Sequence, residues 1–166
     1  MSDCDTTNHL QAAEGWLDLG NHVEAHNELE TLPHDQRNAP EVLKLRCRIY
    51  RQAEKWDYLA ILAESCYGAH PQEAQFLIDW AWAEYRQGRR ERAAVILLHE
   101  SDRFPGSEAL AYDLAIMLAS LDRLPEARDW LARAFELASE PDRLKLRALD
   151  DPELARLWSD PKHPND

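Results

Sequence analysis

Residues 19–29 read LGNHVEAHNEL, and steps of 34 positions bring QGRRERAAVIL (87–97) and LDRLPEARDWL (121–131) into register with them. The intervening step is occupied by AEKWDYLAILA (53–63). Small or apolar residues hold fixed columns through this frame. Ala13, Cys47, Ala81 and Ala115 form one, Ala25, Leu59, Ala93 and Ala127 a second, and Leu29, Ala63, Leu97 and Leu131 a third. Turn-forming residues share another column at Gly20, Gly88 and Asp122, where Glu54 is the exception.

Within each 34-residue unit the apolar side chains recur every three or four positions, the signature of an amphipathic helix. Gly20 and Gly88 fall where a helix ends on a left-handed residue, and Pro40, Pro71 and Pro125 fall near predicted first turns. Each unit therefore reads as two short antiparallel helices. The spacing predicts them over 7–19 and 22–32, 40–53 and 56–69, 73–87 and 90–103, and 107–121 and 124–138. A hairpin of this size cannot bury its apolar face alone, so neighbouring units must stack. After them, DRLKLRALDDPELARLWSD (142–160) has the pattern of a polar cap, with Asp151 and Pro152 opening a last short helix that carries Leu154, Leu157 and Trp158.

This pattern resembles the tetratricopeptide repeat, with its period of 34, its LG pair, its small-residue column and its closing proline. The resemblance is carried by Leu19-Gly20, Gly88, the alanines at 25, 93, 127 and 134, Pro71 and Pro105. It implies an all-α, right-handed superhelix of antiparallel helix pairs. The corresponding organisation is a flexible leader (1–5), four repeats (6–39, 40–73, 74–107 and 108–141), capping helices (142–158) and a flexible tail (159–166).

Composition narrows the function. With 31 acids against 19 bases the net charge is −12, which argues against broad contact with nucleic acid or an anionic membrane. The opening MSDCDTTNHL has neither a basic region nor an apolar run, so no signal peptide is expected, and no apolar stretch is long enough to span a bilayer. Cys4, Cys47 and Cys66 are odd in number and lack a CxxC spacing, so a reducing cytoplasm is the expected compartment. Cys47 and Cys66 read as small buried hydrophobes, and Cys4 as exposed. His22 and His26 stand four apart and could share a metal, yet no third ligand is evident, so no metal and no cofactor are expected. No nucleophile elbow, phosphate loop or paired-carboxylate pocket stands out, and no enzymatic activity is expected. One charged pairing stays open. Arg46 and Glu84 both replace apolar column residues and could face each other between adjacent repeats, or reach water separately.

In the family it resembles, the first helix of each repeat lines a concave groove. The rows on those helices are Leu10, Lys44, Ile78 and Tyr112, then Glu14, Arg48, Trp82 and Ile116, then Leu17, Arg51, Tyr85 and Ala119. The stretch WAWAEYRQGRRERA (80–93) then divides: Trp80 and Ala81 belong to the core, while Trp82, Tyr85 and Arg86 face the groove. The expected site is Lys44, Arg48, Arg51, Ile78, Trp82, Tyr85, Arg86 and Tyr112, receiving an acidic, extended peptide through charge-assisted hydrogen bonds and ring contacts. Unless the bases pair with Asp79 and Asp113, this is an adaptor or scaffold holding another protein. The alternatives are a self-associating assembly protein and a small export chaperone of the bacterial type. The family's clamp for a chaperone's C-terminal carboxylate is missing. Its columns hold Leu10, Glu14, Leu45, Gln75 and Asp79 in one register and Lys44, Arg48, Asp79, Ala109 and Asp113 in the next.

Overall fold

A computed structural model describes residues 3–159, with the backbone alone at residues 3–5. Among these residues there are helices and no strands. In chain order they are α1 (Asp3–Asp18), α2 (His22–Glu30), α3 (Pro40–Gln52), α4 (Trp56–Ala69), α5 (Ala74–Arg86), α6 (Arg90–Glu100), α7 (Glu108–Ser120), α8 (Leu124–Leu137), α9 (Pro141–Asp150) and α10 (Ala155–Ser159). Short 3-10 turns occupy Ser101–Arg103 and Pro152–Leu154. The expected eight-helix rhythm is present, with most boundaries within two residues of the expected ones. The larger difference is at the start, where α1 reaches back to Asp3 into the expected leader. The side chain of Cys4 and the expected tail from 160 onward lie outside the described residues.

The 34-residue period is physical. Gly20, Glu54, Gly88 and Asp122 all adopt positive φ, at 77°, 54°, 83° and 63°. At each of them the same pair of backbone hydrogen bonds closes the preceding helix. The N–H of Asn21, Lys55, Arg89 and Arg123 reaches back to the carbonyls of Trp16, Tyr50, Glu84 and Leu118, at 2.8–3.0 Å. The N–H of the left-handed residue itself bonds to Leu17, Arg51, Tyr85 and Ala119, respectively. This is the Schellman closure, which satisfies carbonyls that a helix end would leave bare. The next helix begins two residues after the left-handed one in all four cases, at His22, Trp56, Arg90 and Leu124. Glu54, the exception in sequence, obeys the same geometry as the glycines.

The chain forms two compact units, Met1–Ala83 and Glu84–Asp166, with the boundary inside α5. In the first, α1 packs on α2 and α3, α2 on α3, and α3 on α4. Ala13, Leu17, Ala25, Leu29, Leu32, Val42, Leu45 and Ile49 make one apolar core there, and Cys47, Leu59, Ala63, Cys66, Phe76 and Ala83 a second. The small residues of the repeating columns are fully buried, because a short side chain lets helix axes approach closely. Trp80, expected in the core, is half-buried against the second cluster.

In the second unit α7 packs on α6 and α8, α8 on α9 and α10, and α7 on the 152–154 turn. Its residues 110–112 and 114–119 are all buried, as expected of a helix apolar on every side. Asp151 caps the 152–154 turn, its side chain accepting the N–H of Glu153 at 3.0 Å, as the Asp-Pro pair predicted.

A left-handed conformation costs a non-glycine residue about 1–2 kcal/mol, and less for Asp than for Glu because a short polar side chain can bond locally. Glu54→Gly is therefore expected to raise the unfolding free energy by about 0.5–1 kcal/mol, and Asp122→Gly by less. Gly88→Ala should lower it by about 1 kcal/mol. Urea titration of the three variants checks both the signs and the order.

Candidate functional site

The first helices of the Met1–Ala83 unit enclose a depression of about 560 Å³. Leu10 and Glu14 come from α1, Lys44, Leu45 and Arg48 from α3, and Gln75 from α5. The spacing of four between Lys44 and Arg48 brings both to one helix face, with Leu45 beneath them almost fully buried. The structure thus brings together two of the expected site residues, Lys44 and Arg48, on a surface made by first helices.

Their charges are not bare. Lys44 Nζ lies 2.7 Å from Glu73, while Arg48 lies 3.2 Å from Glu14 and 3.9 Å from Asp18. Arg51, which completes the expected basic row, is bound elsewhere. Its Nη2 donates to Asp79 Oδ1 at 2.5 Å, and its guanidinium stands 5.8 Å from the ring centre of half-buried Trp82. This is the alternative the sequence allowed, in which a base pairs with Asp79. Asp79 is only 2% exposed and also accepts from Gln75 at 3.2 Å. Burial raises its carboxyl above the ordinary range, against the opposing pull of Arg51 and Gln75.

The rest of the expected row is corrected by burial. Ile78 lies in a run from Phe76 to Asp79 that is buried at four successive positions, so α5 is covered on all sides there. Tyr85 and Tyr112, expected to be exposed, are 6% and 2% exposed. In the Glu84–Asp166 unit their hydroxyls donate to Glu153 at 2.6 Å and to Asp151 at 3.0 Å. The Arg147 guanidinium stacks 4.6 Å from the Tyr112 ring centre. The segment that follows α9 therefore occupies the face the repeat pattern assigned to a guest. Burial, then the bond to Glu153, pushes the Tyr85 hydroxyl up to about 12. Arg86 is exposed.

Arg46 and Glu84, whose pairing the sequence left open, each have a partner within their own unit. Arg46 bonds to Glu30 at 2.7 Å, holding that carboxyl below its usual range, and Arg37 reaches the same carboxylate at 2.9 Å. Glu84, 3% exposed, is held by Arg89 and by Arg92. Each charge has found a partner nearer in sequence than the other repeat.

Sequence reasoning overlooked the acids that hold the groove cations. A signal for one was present: Glu14 and Arg48 share a column one period apart, and so do Asp122 and Arg156, which pair at 2.8 Å. His22 and His26 lie together on a separate hollow, and among the described residues no group of three His, Cys, Asp or Glu side chains could hold a metal.

Asp79 yields a pH prediction with a definite sign. Its carboxyl holds a proton more tightly folded than unfolded, so its contribution to stability falls as pH rises through the interval above the ordinary carboxylate range. Asp79→Asn removes that loss, and the Arg51 it strands is 34% exposed and reaches water. The melting temperature of Asp79→Asn relative to the parent should therefore climb as pH rises from acid to neutral. A difference that narrows instead would contradict the buried, proton-retaining carboxyl.

Compared with known proteins, the chain matches no family model and no curated protein.

Proposed function

We propose that this chain is a non-enzymatic protein-interaction module of the tetratricopeptide type, holding an extended acidic peptide in the depression between α1, α3 and α5. The family assignment is supported by the four Schellman closures spaced 34 residues apart. The peptide reading rests on one observation. Lys44 and Arg48 stand over a buried leucine and are held only by partly exposed carboxylates, with Arg48 49% and Glu14 55% exposed.

Ion pairs that exposed contribute about 0–1 kcal/mol, so an incoming carboxylate can replace Glu14 or Glu73 at little cost. Arg51 is different: taking it from Asp79 would strand a buried charge, so it serves the scaffold and not the guest. The groove then offers two exchangeable cations with Leu10 and Leu45 as an apolar floor. A peptide presenting acids two residues apart matches this arrangement, since alternate side chains of an extended strand point the same way. Binding near micromolar strength, about −8 kcal/mol, is the order expected of such a contact. Among the described residues no helix is long and apolar enough to cross a membrane, and the buried thiols of Cys47 and Cys66 suit a reducing cytoplasm.

The test is selection from an extended-peptide library followed by affinity measurement on folded variants. Arg48→Glu and Lys44→Glu should each weaken the selected acidic peptide by about tenfold or more, as expected for reversing a charge at a contact. Arg143→Glu, on the other unit and 81% exposed, should leave it unchanged. Full-strength binding to both groove variants would end this reading.

A further inference from the structure

A second hollow, of about 340 Å³, opens on the Met1–Ala83 unit between α2, the end of α3 and the start of α4. Its side chains differ in kind from those of the rest of the molecule. The chain carries 31 acidic residues, yet none lines this hollow. Three basic side chains do: His22, His26 and Lys55. Lys55 has no carboxylate within ion-pairing distance among the described residues, and its Nζ stands 5.9 Å from the ring centre of Tyr58. By contrast, Lys44, Arg46, Arg48 and Arg51 of the same unit each touch a carboxylate.

The remaining lining is apolar or aromatic. Buried Ile49 forms part of it, while Val23 and Tyr58 are 57% and 62% exposed and leave ring and methyl surface open to solvent. Helix geometry explains the acid-free wall. Along α2, His22 and His26 stand one turn apart on the side next to buried Ala25 and Leu29, while Glu24 projects from another side. Along α4, Asp57 lies about 100° around the helix from Tyr58 and away from buried Leu59.

A basic wall over an apolar floor, in a recess near the lower limit of small-molecule sites, is selective for one chemistry. The anionic end must pair with Lys55, and the apolar body must cover Tyr58, Val23 and Ile49. We infer that this hollow is a binding site for a small apolar carboxylate, an aryl or branched alkyl group one or two carbons from its carboxyl. The carboxylate sits between Lys55 and the two imidazoles, and the hydrocarbon lies against Tyr58 and Val23. The site is distinct from the α1–α3–α5 depression and needs none of its residues.

The probes are 3-phenylpropionate, its amide and phenethylamine, titrated into the intact chain while the His22, His26 and Tyr58 ring resonances are followed by NMR. Saturable shifts of those rings by 3-phenylpropionate are expected, with a Kd of about 1 mM, and the amide and the amine should bind at least about tenfold more weakly. Lys55→Glu and, separately, Tyr58→Ala should abolish the saturable response. Both positions are exposed, and circular dichroism verifies that the variants stay helical. Shifts absent in the parent, shifts of equal size with the amine, or shifts surviving Lys55→Glu would overturn the inference. Saturation by the acidic peptides that fill the α1–α3–α5 depression, with no response to the free carboxylate, would overturn it as well.

Discussion

The left-handed residue that ends the first helix of every pair sets the rest of the structure. A helix that stops without it leaves its last carbonyls bare, and the chain has no fixed direction in which to leave. With it, two backbone hydrogen bonds close the end and the next helix starts two residues later, in four copies. The chain thereby leaves each first helix through the same turn, and the same columns are buried on each pair. Ala13, Cys47, Ala81 and Ala115 are all fully buried because the turn that follows each of them is the same. The side chain at the turn matters less than the turn itself. Glu54 adopts the conformation at an energetic cost, and Lys55 and Leu59 follow it as Arg89 and Ala93 follow Gly88.

This explains why the fold was legible and the site less so. Helix boundaries and buried columns depend on local geometry that repeats, and repetition multiplies a weak signal at each position. A groove row also repeats, but its exposure depends on what lies over it. Residues 151–154 belong to no repeat, and they cover Tyr112 and Tyr85 with Asp151, Glu153 and a buried Leu154. Nothing in the 34-residue frame could reveal that. The Asp-Pro start of this segment was readable, because capping is a local matter, whereas its destination on α7 was not.

Charge was misread for a related reason. Summed over the chain, 31 acids against 19 bases suggest that a few clustered bases should stand out as a bare positive patch. Acids in excess have the opposite effect locally, since in the Met1–Ala83 unit every described lysine and arginine but Lys55 finds a carboxylate within reach. Lys44, Arg46, Arg48 and Arg51 each do so, three of them with acids from other helices of the unit and Lys44 with Glu73 just before α5. A basic row in such a chain marks where helices are tied together as much as where a guest binds. The informative basic residue among the described residues of the Met1–Ala83 unit is then Lys55, which has no acid at ion-pairing distance and is recognisable only once the neighbouring helices are in place.

The pairs also differ in what they do, and exposure separates them. Arg48 with Glu14 is a contact in water, whose two ends give up little when they part. Arg51 with Asp79 joins the end of α3 to the middle of α5 with one partner almost wholly buried, and breaking it leaves that carboxylate without its counter-charge. The first can exchange for a guest, whereas the second holds apart, at fixed spacing, the helices that a guest would lie between. Gln75 connects the two roles: it lines the depression and bonds to Asp79 at 3.2 Å. A groove built this way keeps its width when its surface charges change partners, because the bond that sets the width is anchored on a buried carboxylate.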